Sequence, residues 1–123
     1  MANPNIVAVT SIYGNTSYLI PSTTSATTWT ALTPATGTVN KIDNIVASNV
    51  TSSAVTLTVS VNSATGGGGT AYRIAYQISV PPNASLIVVD KTTAFYLGES
   101  QSVVVTVGTG SAIELTSSYE AIT

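Results

Sequence analysis

The chain has 123 residues, the size of one domain, and carries three Lys or Arg and five Asp or Glu for a net charge of −2. Phosphate backbones and anionic membranes are bound by several cations on one surface, so the sequence predicts no nucleic-acid partner and no membrane partner. Cys and His are both missing. Disulfides, thiolate chemistry and the usual zinc ligands are therefore excluded.

Charged residues make up only 7% of the chain, against about 25% in an average domain. Ser and Thr supply most of the polarity instead. Net charge keeps small domains apart in solution, so this chain has weak protection against association. It is either a stable free-standing domain or a subunit that works inside an assembly, and we favour the subunit.

The N-terminal segment mixes apolar residues in both phases. Ile6 to Tyr13 is predicted as a first strand, Gly14-Asn15 as a turn, and Tyr18 to Ile20 as extended chain that ends at Pro21. Residues 1–21 are predicted as a strand or arm in subunit contacts, which lies in the domain's own sheet or reaches a neighbouring subunit. Residues 22–123 are predicted as the β-sandwich, with a single domain overall.

The next segment, rich in Ser and Thr, contains the only Trp of the chain. We expect a short strand near Thr27–Leu32 and a surface loop at Pro34–Gly37. Trp29 either closes the core under a loop or is exposed for stacking on carbohydrate or a partner, and the core position is favoured.

The middle of the chain shows the clearest strand pattern. Val39 to Asn49 is predicted as a strand with Ile42, Val46 and Asn44 facing inward. A long antiparallel hairpin follows from Ala54 to Val80, and its turn is the flexible run Gly66–Gly69. Its first strand alternates apolar and polar residues, and we expect Tyr72, Ile74, Tyr76, Ile78 and Val80 to form the core-facing row of the second strand.

Three further strands are predicted beyond the Pro81-Pro82-Asn83 turn. They cover Ser85–Val89, Val103–Val107 and the stretch from Ile113 to Glu120, and Ala94–Leu97 is a brief apolar patch between two turns. Ser85–Val89 reads as buried on both faces or as an edge covered by a partner. The total of about eight or nine short strands, with no helical period, predicts an all-β antiparallel β-sandwich of jelly-roll or immunoglobulin-like type.

No pattern of catalytic or ligand-binding residues is present. A glycosidase needs two carboxylates about 5–9.5 Å apart, whereas Glu114 and Glu120 on the last strand are separated by about 20 Å. Gly66–Gly69 lacks the Lys-Ser/Thr and the helix of a phosphate loop, and no EF-hand calcium loop is present. We therefore predict no catalytic, cofactor-binding or metal residue, no cofactor and no enzymatic activity.

Several stretches along nearly the whole chain resemble small virion structural proteins of tailed phages, especially those that infect cyanobacteria. They are residues 1–14 (MANPNIVAVTSIYG), 39–45 (VNKIDNI) with Ser48-Asn49, 72–81, 86–97 and 118–122 (SYEAI). These stretches are structural in character. The resemblance implies a non-enzymatic building block and assigns no active residues.

The resemblance implies a place in the virion after assembly in the host cytoplasm, and two roles compete. A capsid decoration or cement protein would stabilise the phage head as a homo-oligomer, for example a trimer, in contact with itself and with the major capsid protein. A tail, baseplate or fibre component would lie at the other end of the particle. The small single domain favours decoration. A carbohydrate-binding module using Trp29, Tyr72 and Tyr76 is a third reading, which the predicted core position of the two tyrosines disfavours.

Overall fold

The structure, a computed structural model, describes residues 3–123. Two short 3₁₀ turns, Thr30–Leu32 and Thr65–Gly67, accompany nine strands. The strands are β1 (Ile12–Leu19), β2 (Thr27–Thr28), β3 (Val39–Asn49), β4 (Val55–Asn62), β5 (Ala71–Val80), β6 (Ser85–Val89), β7 (Phe95–Leu97), β8 (Ser102–Val107) and β9 (Ile113–Ile122). The predicted all-β class is confirmed.

The strands form two antiparallel sheets. The first sheet has the order β1-β9-β3-β6, with β7 also paired to β3, and the second has the order β2-β8-β4-β5. Apart from β7, the pairs are nested, since β1 pairs with β9, β2 with β8, β3 with β6 and β4 with β5. This nesting is that of a hairpin rolled into two sheets, which is the jelly-roll topology. Of the two predicted sandwich types, the strand order selects the jelly roll.

The core lies between the two sheets and is almost entirely aliphatic around one indole ring. Trp29 is 1% exposed and donates its Nε1–H to the buried Ser17 Oγ at 3.0 Å. The core position predicted for Trp29 is confirmed. The largest fully buried side chains around it are Leu32, Ile42, Ile45, Leu57, Leu97, Ile113 and Leu115.

The N-terminal strand differs from its prediction. β1 begins at Ile12 and continues through Gly14-Asn15, where a turn was predicted, and it pairs with β9 over eight consecutive residues. The predicted strand from Ile6 is wrong at its start, because residues 5–8 form a turn closed by the Ala8 N–H to Asn5 O bond of 3.0 Å. β1 thus belongs to the domain's own sheet, and contact between residues 1–21 and another subunit stays a prediction.

A β-bulge in β3 changes which side chains face the core. The strand has the predicted bounds, but its register with β9 shifts between Ile42 and Asn44. A bulge inserts one extra residue and reverses the inward phase beyond it. Ile42 is buried as predicted, whereas Ile45 and Ala47, and not Val46 or Asn44, take the buried positions after the bulge.

The predicted hairpin of β4 and β5 is confirmed, but the predicted core row of β5 is wrong. Tyr72, Ile74, Tyr76 and Ile78 are 65%, 38%, 57% and 40% exposed, and Val80 alone of that row is fully buried. The pairing of β5 with β4 shifts twice, between Leu57 and Ser60, and Gln77 has a φ of 49°. Because β5 also lies at the edge of its sheet, the opposite sheet does not cover this row.

The Ser17–Trp29 hydrogen bond should contribute measurably to stability. We expect Ser17→Ala to lower the free energy of unfolding by about 1–3 kcal/mol, because it leaves a buried indole N–H without an acceptor. Thr16→Ala, at the exposed neighbouring position of β1, should change it by less than about 0.5 kcal/mol. Urea denaturation followed by Trp29 fluorescence measures both.

A double-mutant cycle shows whether the stability lost in Ser17→Ala comes from the missing hydrogen bond or from packing. In a Trp29→Phe background the indole N–H is gone, so Ser17→Ala should cost clearly less than in the wild-type protein. Circular dichroism follows unfolding in all four proteins, because this background lacks the single Trp. An equal cost in both backgrounds would show that Ser17 acts through packing alone.

Candidate functional site

The acidic side chains are dispersed over the molecule. A carboxylate oxygen of Asp43 and one of Glu120 each lie 3.9 Å from Lys41 Nζ in partly exposed ion pairs. Glu114 is exposed near the start of β9, at the opposite end of the strand from Glu120. Glu99 Oε2 accepts the Gly37 N–H at 2.8 Å. Among residues 3–123, no three His, Cys, Asp or Glu side chains group closely enough to hold a metal ion.

Asp90 has a structural environment of its own in the turn after β6. Its Oδ1 accepts the Thr92 hydroxyl at 2.6 Å and the Thr92 N–H at 2.9 Å. These hydrogen bonds, with those from Thr93, lower the pKa of the Asp90 carboxyl below its usual range. A depressed pKa indicates an ionised carboxylate that closes this turn, which is a structural task.

The glycine-rich loop connects β4 and β5 as the predicted hairpin tip, and hydrogen bonds through Gly67 hold it against its own sheet. Gly67 N–H donates to Ser102 Oγ at 3.0 Å, and Gly67 O accepts the Asn62 Nδ2 at 2.9 Å. Ser102 Oγ in turn donates to Ala64 O at 2.7 Å. A Cβ on Gly67 would lie 2.6 Å from Thr28 Oγ1. Gly67 is therefore a point of close packing between the loop and β2.

The three aromatic residues of the carbohydrate-binding hypothesis do not form one surface. Trp29 is buried, whereas Tyr72 and Tyr76 are exposed. Directly paired residues share a face of a sheet, so Tyr72, opposite Val61, lies on the core side of β5. Tyr76 follows the core-facing Ala75 and lies on the other face, where the Arg73 guanidinium stands 5.2 Å from its ring centroid. A flat stacking platform is not formed by these side chains.

A shallow apolar cleft lies beside the N-terminal segment. It has a volume of about 270 Å³ and is lined by Asn3, Pro4, Ile6, Val39 and Tyr96. Ligand pockets usually occupy about 300–1,000 Å³ and contain a few convergent polar groups. The cleft therefore has the character of a packing groove between the N-terminal segment and the first sheet.

The dominant surface feature is exposed apolar area at and near the sheet edges. One set belongs to the N-terminal region and β1: Ile6, Val7, Ile12, Tyr13, Tyr18 and Ile20. A second set, here named the β5 surface, consists of Tyr72, Ile74, Tyr76 and Ile78, and Ile87 and Tyr96 lie on β6 and β7. Sequence reasoning placed the β5 surface in the core because alternation alone does not reveal an edge strand.

No protein-family model matches the chain, and no curated protein matches it significantly. In the portion covered by residues 3–123, no helix is long and apolar enough to cross a membrane.

Two glycine variants test how firmly the loop is held. Gly66 and Gly67 have φ values of 66° and 79°, but only Gly67 has a neighbour within 4 Å of an added Cβ. Gly66→Ala should lower the free energy of unfolding by about 1–2 kcal/mol through the left-handed backbone alone. Gly67→Ala should cost more, because the new methyl group contacts Thr28 Oγ1. Thermal or urea unfolding measures the difference.

Removing the obstructing atom provides the control. Thr28→Ala combined with Gly67→Ala should recover the additional loss and leave only the backbone cost. Equal losses for the two single glycine variants would contradict the close packing of Gly67 on β2.

Proposed function

We propose that this chain is a non-enzymatic virion structural protein of a tailed phage, which acts as a capsid decoration or cement protein on the head. Its partners would be other copies of itself and the major capsid protein. The observation that carries the proposal is the set of exposed large apolar side chains at the sheet edges of a domain in which only 7% of the residues are charged.

The exposed apolar residues support an assembly role by their position. Tyr72, Ile74, Tyr76 and Ile78 follow one another along a single edge strand, and Arg73 is the one charge within it. Scattered surface apolar residues are ordinary, whereas these exposed side chains lie on both faces of one edge strand, with Tyr72 on the core side and Tyr76 on the other. A partner that encloses this edge would cover them together. Tyr and Arg are also enriched where protein interfaces are most strongly bound. The β5 surface has the composition of an interface.

The fold agrees with this role without selecting it. Jelly rolls are common among viral capsid domains and also among lectins, so the topology alone leaves both classes open. Carbohydrate stacking is disfavoured by two observations: Trp29 is buried, and Tyr72 and Tyr76 lie on different faces of β5. The residue resemblance to virion structural proteins supports the building-block role over the lectin role.

Immunogold labelling of phage particles purified from cells that express the protein tests its location. A decoration protein should be labelled on the heads, with many copies on each particle. Particles assembled without the protein serve as the control for antibody specificity. Label confined to the tail would overturn the decoration role in favour of a tail, baseplate or fibre component, and unlabelled particles would overturn the virion role.

Surface variants test whether the β5 surface is the contact to the head. Tyr72→Ser and Tyr76→Ser should each change the free energy of unfolding by less than about 1 kcal/mol, because both side chains are more than half exposed. Each should weaken binding to heads that lack the protein by about tenfold or more, as expected for an aromatic or aliphatic interface residue. Co-sedimentation of purified protein with such heads measures the binding.

Val50→Ser is the matched control, since Val50 is 51% exposed and lies outside the β5 surface in the turn after β3. It should bind heads like the wild-type protein. Normal binding by both β5 variants would exclude this surface as the contact.

A further inference from the structure

β1 forms a free edge of the first sheet, and its backbone groups can be assigned a direction. Ser11 and Thr123 exchange N–H···O bonds of 3.3 and 2.9 Å, which makes them a hydrogen-bonded pair one residue beyond Ile12 and Ile122. Such pairs alternate along an antiparallel ladder. Tyr13, Asn15, Ser17 and Leu19 therefore bond to β9, whereas the N–H and C=O groups of Ile12, Gly14, Thr16 and Tyr18 point to the open edge.

The β1 edge lacks the features that protect the other edges. Proteins block exposed edges with charges, prolines, bulges or very short strands. β2 has only two residues, β5 has two register shifts and contains Arg73, and the pairing of β6 with β3 is also irregular. β1 pairs with β9 over eight residues without a shift, and it contains neither Pro nor a charged residue.

The flanking chain leads away from this edge. Asn3, Pro4 and Ile6 line the cleft with Tyr96 of β7, which lies beyond β9 and β3 in the same sheet. After β1, Pro21 O accepts the Ser111 N–H at 2.8 Å, so the chain turns toward the β8–β9 connection. The first charged residue of the sequence is Lys41. Among residues 3–40, no segment covers this edge and no charged side chain would repel a second strand that pairs with it.

We propose that β1 pairs with β1 of a second copy of this chain across a twofold axis centred on Asn15, which joins the two first sheets into one continuous sheet. A twofold axis that makes adjacent strands antiparallel is perpendicular to the sheet, so it keeps each face on its own side. Paired residues must then share a face. Residues with outward backbone groups therefore pair with each other.

The register centred on Asn15 uses every outward-pointing group of the strand. It places Ile12 opposite Tyr18 of the second copy and Gly14 opposite Thr16 of the second copy. These pairings form about eight main-chain hydrogen bonds, within the range of about 10 ± 5 seen in typical interfaces. The Ile–Tyr pairs cover apolar side chains that are 53% and 72% exposed in the single chain, and aromatic–β-branched pairs stabilise antiparallel strands.

This inference rests on the part of the proposed function that makes other copies of the chain its partners, and it develops the subunit contact that the sequence predicts for residues 1–21. The test is the mass of the purified full chain by analytical ultracentrifugation. We expect a dimer of the 12.5 kDa chain or an even-numbered assembly of such dimers. Monomer mass up to about 1 mM, near the weak limit of measurable affinities, or an odd-numbered oligomer such as a trimer would overturn it.

Charge substitution at the axis tests the register. The two Asn15 residues would lie directly opposite, about 4.5 Å apart at Cα. Asn15→Asp and Asn15→Lys each place like charges across the axis, and each should weaken the dimer about tenfold or more. An equimolar mixture of the two variants should restore the dimer, since opposite charges then face each other. Wild-type mass for either single variant, or failure of the mixture, would overturn this interface.

Two controls separate the interface from folding and from net charge. Asn83→Asp makes the same amide-to-acid change in the exposed turn between β5 and β6 and should keep the wild-type mass. Trp29 fluorescence and circular dichroism should be unchanged in all variants, because Asn15 is exposed and its Nδ2 donates locally to Tyr13 O at 3.1 Å.

The outcomes for the interface and for the virion role are separable. A dimer that the charge pair controls, together with unlabelled particles, would keep this interface and reject the virion role. A trimer on labelled heads would keep the virion role and reject this interface.

Discussion

The insertion of β9 between β1 and β3 holds the two ends of the chain together, and the remaining structure depends on it. β9 pairs with β1 from Ile12 to Leu19 and with β3 from Val39 to Asn49, so it is the centre of the first sheet. Asn44 makes additional hydrogen bonds to β9 at the bulge in β3. Its Oδ1 accepts the Ser118 N–H at 3.0 Å and its C=O accepts the Ser117 hydroxyl at 2.8 Å. The sheet closes only when residues about a hundred positions apart meet, which is typical of slowly folding β-proteins.

Inside this molecule, uncharged polar side chains make the hydrogen bonds that fix the turns, a task that charged side chains perform in other domains. The buried Asn49 accepts the N–H and the hydroxyl of Thr51, and donates to Ser53 O and Val80 O at 2.8 and 3.0 Å. All four positions of its amide are thus used. Such groups fix turns without the desolvation cost of a buried ion, and a chain made this way has little charge left to keep its surface apart from other proteins.

The low content of charged residues also connects the fold to the proposed role. The exposed apolar residues of β1 lie at a regularly paired sheet edge, whereas those of the β5 surface lie at a bulged edge. A regular edge offers main-chain hydrogen bonds, whereas a bulged edge offers side chains. In the proposed role, β1 would contact a second copy of the chain, and β5 would contact the surface of the head.

The sequence by itself determined the class of fold and most of the strands, although not the bounds of β1. Alternation along Val39–Asn49 and Val55–Asn62 predicts their bounds, since the period of two is a local property of extended chain. Tertiary structure decided which side chains are buried. The bulge after Ile42 reverses the inward phase of β3, and the edge position of β5 leaves Tyr72 uncovered although it lies on the core side; neither feature is marked in the sequence. It also decided that Tyr72 and Tyr76 are exposed while Trp29 is buried. Whether a side chain is covered depends on the strand that lies opposite, and that strand comes from a distant part of the chain.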